Sequence, residues 1–321
     1  MVKEKKENII WALLVHLGYR MWGDEKKETV LPDRLFCDHG TWRKVIDRMA
    51  EVGMNTMVVD VGEGIVLPSH PELAVKGSWT PEKMRKEIEY MKSCGIEAIP
   101  KLNFSTLHDA WLGDVQYEVS TPRYYQTCSD VIRDVAEIFG NPRLFNIGMD
   151  EESDMGLQDR YDLKIVRQGS LYWHDVNFLA DEVEKHGARA WMFGDDAWFR
   201  RESFYANFPK RILLSNWFYG RSFRVAEKPW QPPRINSYRE FDEHGFDQIP
   251  TATNWYPDYL YKDKGIKSND VNLPLTVAHC RQVISPERLK GFLMTTWTKT
   301  LPENFDSISH AIDLVGQSMI I

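Results

Sequence analysis

The stretch TPEKMRKEIEYMKSCGIEAIPKLN, residues 80–103, holds one complete helix-to-strand unit. Thr80 suits a helix N-cap and Pro81 the first helical position. Met84, Ile88 and Met91 then recur on one helical face, Gly95 stops the helix, and a short apolar run leads to Asn103. The unit before it has the same form: Val45, Met49 and Val52 line a helix from Thr41 to Glu51, Gly53 ends it, and the apolar run Met54–Gly62 follows.

Outward from these two units the alternation continues. Strand-like runs fall at Ile9–Gly18, Met54–Gly62, Gly95–Asn103, Leu144–Glu151, Ala188–Asp195, Arg211–Tyr219, Gln248–Trp255 and Lys290–Trp297, eight in all. Helical spacing separates them: Val131, Val135 and Ile138 before Gly140-Asn141-Pro142; Val176, Leu179 and Val183 before His186-Gly187; and Ile308, Ile312 and Val315 at the end. Only Trp198 to Pro209 is abbreviated, with room for a short helix. Eight such repeats without a composition shift predict an α/β fold, a single (β/α)8 TIM barrel over residues 1–321. No glycine-rich phosphate loop follows the first strand, which disfavours an open dinucleotide-binding sheet.

Composition narrows the function. With 40 basic and 47 acidic residues the net charge is −7, which excludes a dedicated nucleic-acid binder because phosphate neutralisation needs a basic excess. No apolar run approaches the ~18 residues of a membrane-spanning helix. The charged start followed by Ile9–Gly18 copies a signal peptide superficially, but Tyr19-Arg20-Met21-Trp22 replaces a small-residue cleavage site, so the run reads as a strand. The 4 cysteines, Cys37, Cys94, Cys128 and Cys280, match no metal or redox spacing and read as reduced thiols of a cytoplasmic protein. No cofactor and no metal is expected. His16, His108, Asp150 and Asp195 fall at strand ends, but neither His-x-His on strand one nor His-Glu-x-x-His occurs.

In such barrels the chemistry sits at the C-terminal strand ends. Those ends carry Arg20; His108 and Trp111; Asp150, Glu151 and Glu152; Asp195, Asp196 and Trp198; Trp217 and Tyr219; Asn254, Trp255 and Tyr256; and Trp297. A tryptophan at a solvated mouth exposes costly apolar area unless something flat stacks on it, and a pyranose ring does so. The adjacent acids decide the reaction class. Glycosidic cleavage needs a protonated carboxyl for the leaving oxygen and a second group beside the oxocarbenium-like centre. Glu151 is the expected acid, with a proton affinity raised by burial and by Asp150. Adjacent strand residues face opposite sides, so the two share a pocket only if the strand end twists or bulges.

Ile147-Gly148-Met149-Asp150-Glu151 resembles the Gly-Gly-Asp-Glu strand-four motif of family-20 glycoside hydrolases, the β-N-acetylhexosaminidases, with Met149 in place of the second glycine. Pro100 to Trp111 with His108, Phe193-Gly194-Asp195-Asp196, Asn254-Trp255-Tyr256 with Tyr259, and Gly291 to Trp297 are similar to other parts of that barrel in order. The resemblance implies retention assisted by the substrate's 2-acetamido oxygen. Glu151 would protonate the leaving group, Asp150 would orient the acetamido N–H, and Tyr256 would donate to its oxygen. Trp217, Trp255 and Trp297 would wall the methyl group, Arg20 would take distal hydroxyls, and His108, Trp111 and Asp196 complete the expected substrate contacts. The family's glutamate after the last tryptophan is replaced by Thr298-Lys299-Thr300, and its usual N-terminal auxiliary domain has no counterpart. Strand seven ends without the acid that an enzymic nucleophile would need, as a substrate-supplied nucleophile allows. The alternatives are an acid/base pair of Glu151 with Asp195 or Asp196 on a plain sugar, or a carbohydrate-binding barrel without turnover.

Overall fold

Strand β1 (Ile10–His16) lies parallel between β2 (Thr56–Asp60) and β8 (Gly291–Thr295). The sheet continues through β3 (Glu97–Lys101), β4 (Leu144–Gly148), β5 (Arg189–Phe193), β6 (Leu213–Ser215) and β7 (Thr251–Thr253). The eight-stranded order β6-β5-β4-β3-β2-β1-β8-β7 leaves one seam, between β6 and β7. Ile249 N donates to Leu214 O at 2.8 Å and Thr251 N to Asn216 O at 2.9 Å across it, so the sheet curls into a barrel. The computed structural model describes residues 9–20, 33–152, 164–224, 228–256 and 268–321. Each strand expected from the sequence contains the observed one.

Helices α1 (His39–Glu51), α2 (Pro81–Ser93), α3 (Pro122–Ile138) and α4 (Gly169–Lys185) follow the first four strands. Their starts are set locally: Asp38 Oδ2 accepts from Thr41 N at 2.7 Å, and Thr80 Oγ1 accepts from Lys83 N at 3.2 Å. The abbreviated fifth unit is two short helices, α5 (Asp196–Phe199) and α6 (Arg201–Asn207). Helices α7 (Gln231–Glu243), α8 (Asn272–Val283) and α9 (Phe305–Ser318) complete the ring. None of the described helices is long and apolar enough to cross a membrane.

Strand alternation divides the core in two. Trp11, Leu13 and Val15 face outward and join the packing beneath the helices, with Trp42, Val45 and Met49. Ile10, Ala12 and Leu14 face inward and meet Val58, Ile99, Trp191, Phe193, Ile249 and Leu293 inside the barrel. One step further toward the C-terminal ends, the inward positions turn polar while staying buried: His16, Asp60, Lys101, Asn146, Ser215, Thr253 and Thr295. Lys101 Nζ sits 2.6 Å from Asp60 Oδ2, and His16 Nδ1 lies 3.3 Å from the same oxygen. Burial pushes the Asp60 carboxyl up, but Lys101 and His16 outweigh it and hold it down at about 2. This polar layer is the floor on which the mouth residues stand.

Candidate active site

Strand β4 loses its regular register where the chemistry was expected. Asn146 is opposite Trp191, and the next partner, Met192, is opposite Gly148, so one residue bulges out. Beyond it Gly148, Met149 and Glu151 take φ of +70°, +66° and +56°. A left-handed conformation costs a residue with a side chain roughly 1–2 kcal/mol, so Met149 and Glu151 are held there by other contacts. Asn103, just past β3, supplies several. Its Oδ1 accepts from Met149 N at 3.1 Å and Ser105 N at 3.2 Å, and its Nδ2 donates to Asp150 Oδ1 at 2.6 Å. A Cβ on Gly148 would lie 2.0 Å from Asn103 Oδ1, so only glycine admits this close approach.

The turned backbone brings the adjacent acids to one imidazole. His108 Nε2 lies 3.2 Å from Glu151 Oε2 and 3.5 Å from Asp150 Oδ2. Asp150 and His108 are buried, whereas the Glu151 side chain keeps 43% of its surface open to the mouth. Burial pushes His108 down, but the charges of Asp150 and Glu151 outweigh it and raise its proton affinity above the ordinary imidazole value. Glu151 corrects the sequence expectation. Burial does push its carboxyl up, but the hydrogen bond and charge of His108, with Arg234 behind them, more than offset this and leave it below the ordinary carboxylate value. Both displacements favour His108 over Glu151 as the holder of a proton shared between them.

The carboxyl that is held well above its ordinary value is Asp195, through burial first and the charge of Asp150 second. Asp195 Oδ2 accepts the Glu151 backbone N–H at 2.8 Å. Its neighbour Asp196, at the start of α5, is ion-paired to Arg200. Glu152 also serves structure: it accepts from Arg167 Nε at 2.9 Å, from Arg167 Nη2 at 2.9 Å and from Thr106 N at 2.8 Å, stitching the loops after β3 and β4 together.

Beside the acids runs an aromatic wall. Trp297 Nε1 donates to Tyr219 Oη at 3.2 Å, Tyr219 stacks on Trp217 at 5.0 Å, and Trp217 meets Trp198 edge-on at 4.6 Å. The Arg234 guanidinium lies over Trp198, Trp217 and Trp230 at 4.1, 4.6 and 4.6 Å. Burial raises the proton affinity of the Tyr219 hydroxyl, and the charges of Asp150 and Glu151 add to this. Trp255, 38% exposed, and Tyr256, buried, follow β7 on the same rim. Trp111 is placed differently: it is buried against Phe104 and donates Nε1 to Asn103 O at 2.7 Å, so it braces Asn103 from below. Arg20 is fixed through its backbone, whose N–H reaches both Glu63 carboxylate oxygens at 3.1 Å. Tyr259 lies outside the described residues.

Two contributors escaped the sequence expectation. Asn103 was visible as the polar end of strand three, but nothing marked it as the support of Asp150. Arg234 sits in α7, away from any strand end, and carried no signal. Among the described residues no group of three or more His, Cys, Asp or Glu side chains is arranged to hold a metal ion.

No protein-family model matches the chain, and a comparison with curated proteins gives no match. Solved structures do match in fold. The β-N-acetylhexosaminidase of Bacteroides fragilis aligns with TM-score 0.61 at 15% identity, over 95% of this chain and 65% of that one. The chitobiase of Flavobacterium johnsoniae aligns with TM-score 0.63 at 18% identity, over 96% and 48%. A β-hexosaminidase of Streptomyces plicatus, in complex with its product GlcNAc, aligns with TM-score 0.65 at 14% identity, over 97% and 64%. The chain thus spans about half to two-thirds of the length of these structures. The (β/α)8 barrel of this chain aligns in fold with all three structures over nearly its whole length.

Proposed function

We propose that the chain is a retaining exo-glycosidase that removes terminal β-linked N-acetylhexosamine, with the acetamido oxygen of the substrate as nucleophile. The observation that carries this reading is the convergence of Asp150 and Glu151 on His108 beside an indole wall. It occurs in a barrel whose seventh strand, Thr251–Thr253, and the described residues that follow it to Tyr256 carry no carboxylate.

The acetamido oxygen attacks the anomeric carbon as the glycosidic C–O bond breaks, and Glu151 gives its proton to the departing oxygen. Asp150 accepts the acetamido N–H and balances the oxazolinium charge. Water, deprotonated by Glu151, then opens the ring with net retention. His108 is the proton store: a sugar ring covering the open part of Glu151 strengthens desolvation and moves the proton from imidazole to carboxyl. Trp217, Trp255 and Trp297 enclose the acetamido methyl, Tyr256 donates to the acetamido oxygen, and Arg20 takes distal hydroxyls. The position after Trp297, where the family's glutamate would stand, leads instead to Lys299, placed over Phe36 at 4.0 Å and Tyr19 at 5.3 Å. That change favours altered selectivity at the distal hydroxyls. Four unpaired cysteines fit a reducing, cytoplasmic setting.

The test is a panel of 4-nitrophenyl β-glycosides. Release from N-acetylglucosaminide or N-acetylgalactosaminide, with none from glucoside or galactoside, supports the reading. Equal release from the plain sugars would favour a carboxylate pair, a role for which Asp195 is poorly suited because it is buried and already engaged with Glu151 N.

A further inference from the structure

We propose that Asp195 is the positioning residue of the proton donor: its carboxyl pins the left-handed turn at Glu151 and so aims the Glu151 side chain at the mouth. The kinetic side of this rests on the glycosidase reading above; the structural side does not.

Glu151 has φ of +56°, and its backbone N–H ends 2.8 Å from Asp195 Oδ2 on the neighbouring strand unit. Asp195 is 2% exposed, and its Oδ1 has no hydrogen-bond partner among the described residues. The acceptor is thus committed to one backbone amide and kept from water. Asn103 performs the matching task one turn earlier, at Met149 N and at the Asp150 side chain, so the two acids are held by two separate struts. Remove the Asp195 strut and Met149 still has Asn103, but the amide of Glu151 has lost its acceptor. A buried unpaired N–H is costly, so the turn would rotate to reach water and carry the donor away from His108.

The chemistry of the strut also fits. An ionised Asp195 would add a third anion beside Asp150 and Glu151, whereas a neutral carboxyl accepts the N–H through its carbonyl oxygen without that repulsion. Burial and Asp150 both favour the neutral form. A general base would need the opposite, an ionised group with access to water. The amide of asparagine is neutral, nearly isosteric and offers the same acceptor.

Asp195→Asn and Asp195→Ala are therefore compared with the wild type in crystals and in kinetics on phenyl and 2,4-dinitrophenyl N-acetyl-β-glucosaminides. The expected result is that Asn keeps Glu151 at positive φ and kcat within about tenfold of wild type. Ala should relax φ and lose about 100-fold in kcat on the phenyl glycoside, under about tenfold on the dinitrophenyl one, with KM little changed. An inactive Asn variant with Glu151 unmoved would show that the ionised carboxylate matters and overturn the proposal. So would an Ala variant with φ and kcat unchanged. If Ala does not fold, the Asn result decides. If the wild type cleaves neither glycoside, the glycosidase reading falls and the Glu151 torsion in the Ala crystal decides the strut.

Discussion

His108 Nε2 stands 3.2 Å from Glu151 Oε2, and the two groups are displaced in opposite directions: the imidazole holds its proton more tightly than usual and the carboxyl less tightly. Between their two pKa values the pair carries one proton, on His108. As pH rises through the raised His108 value that proton is lost, and the donor is no longer recharged. The pH profile of kcat/KM should therefore have its alkaline limb above the ordinary imidazole value of about 6.5. His108→Gln should move that limb to lower pH, since Glu151 then titrates as an isolated carboxyl. An unmoved limb would remove His108 from the proton path.

Glu151→Gln keeps the shape of the donor and removes its proton. The expected loss is about 10²–10⁴-fold in kcat/KM on phenyl glycosides and far less on dinitrophenyl ones, whose leaving group needs no proton. Equal losses on both would count against Glu151 as the acid.

Gly148→Ala should be the most damaging methyl in the barrel mouth. It forces a side chain into φ of +70° and into Asn103 Oδ1 at 2.0 Å. Asn103 must then release Asp150, so turnover should fall at least about tenfold and stability by about 1–3 kcal/mol. Urea unfolding and kcat measured on the same preparation check both.

Much of this was legible in the sequence. The helix-stop glycines Gly53, Gly95 and Gly187 and the capping Thr80 are local signals, and all eight strands fall within the expected runs. The abbreviated stretch Trp198 to Pro209 is short as expected, although it holds the end of α5 and the whole of α6 rather than one helix. The site was legible in its parts but not in its electrostatics. Asp150 and Glu151 could be placed at a strand end, yet their common pocket depends on a bulge fixed by Asn103, 47 residues from Asp150. The direction of the Glu151 shift depends on His108, 43 residues away, and on Arg234. Like charge and burial are readable from neighbours in sequence; a countercharge brought by the fold is not.

The floor beneath the site gives a stability prediction. The Asp60 carboxyl is held at about 2 in the folded protein. A group lowered on folding stabilises above its unfolded value of about 3.9, and that stabilisation, about 2 kcal/mol here, is lost as pH falls toward the folded value. Urea midpoints should drop between about pH 4 and 2 on this account. Lys101→Met should remove about 3–5 kcal/mol at pH 7, because it strands a buried carboxylate. A midpoint unchanged by Lys101→Met would deny the pair its role in the barrel floor.

The most direct measurement is a crystal soaked with the thiazoline analogue of cyclised N-acetylglucosamine, the neutral mimic of the oxazolinium. The account predicts the ring nitrogen within hydrogen-bond distance of Asp150, the methyl against Trp217 and Trp297, and Glu151 above the anomeric carbon. A thiazoline bound away from Asp150, or no binding at millimolar concentration, would contradict it.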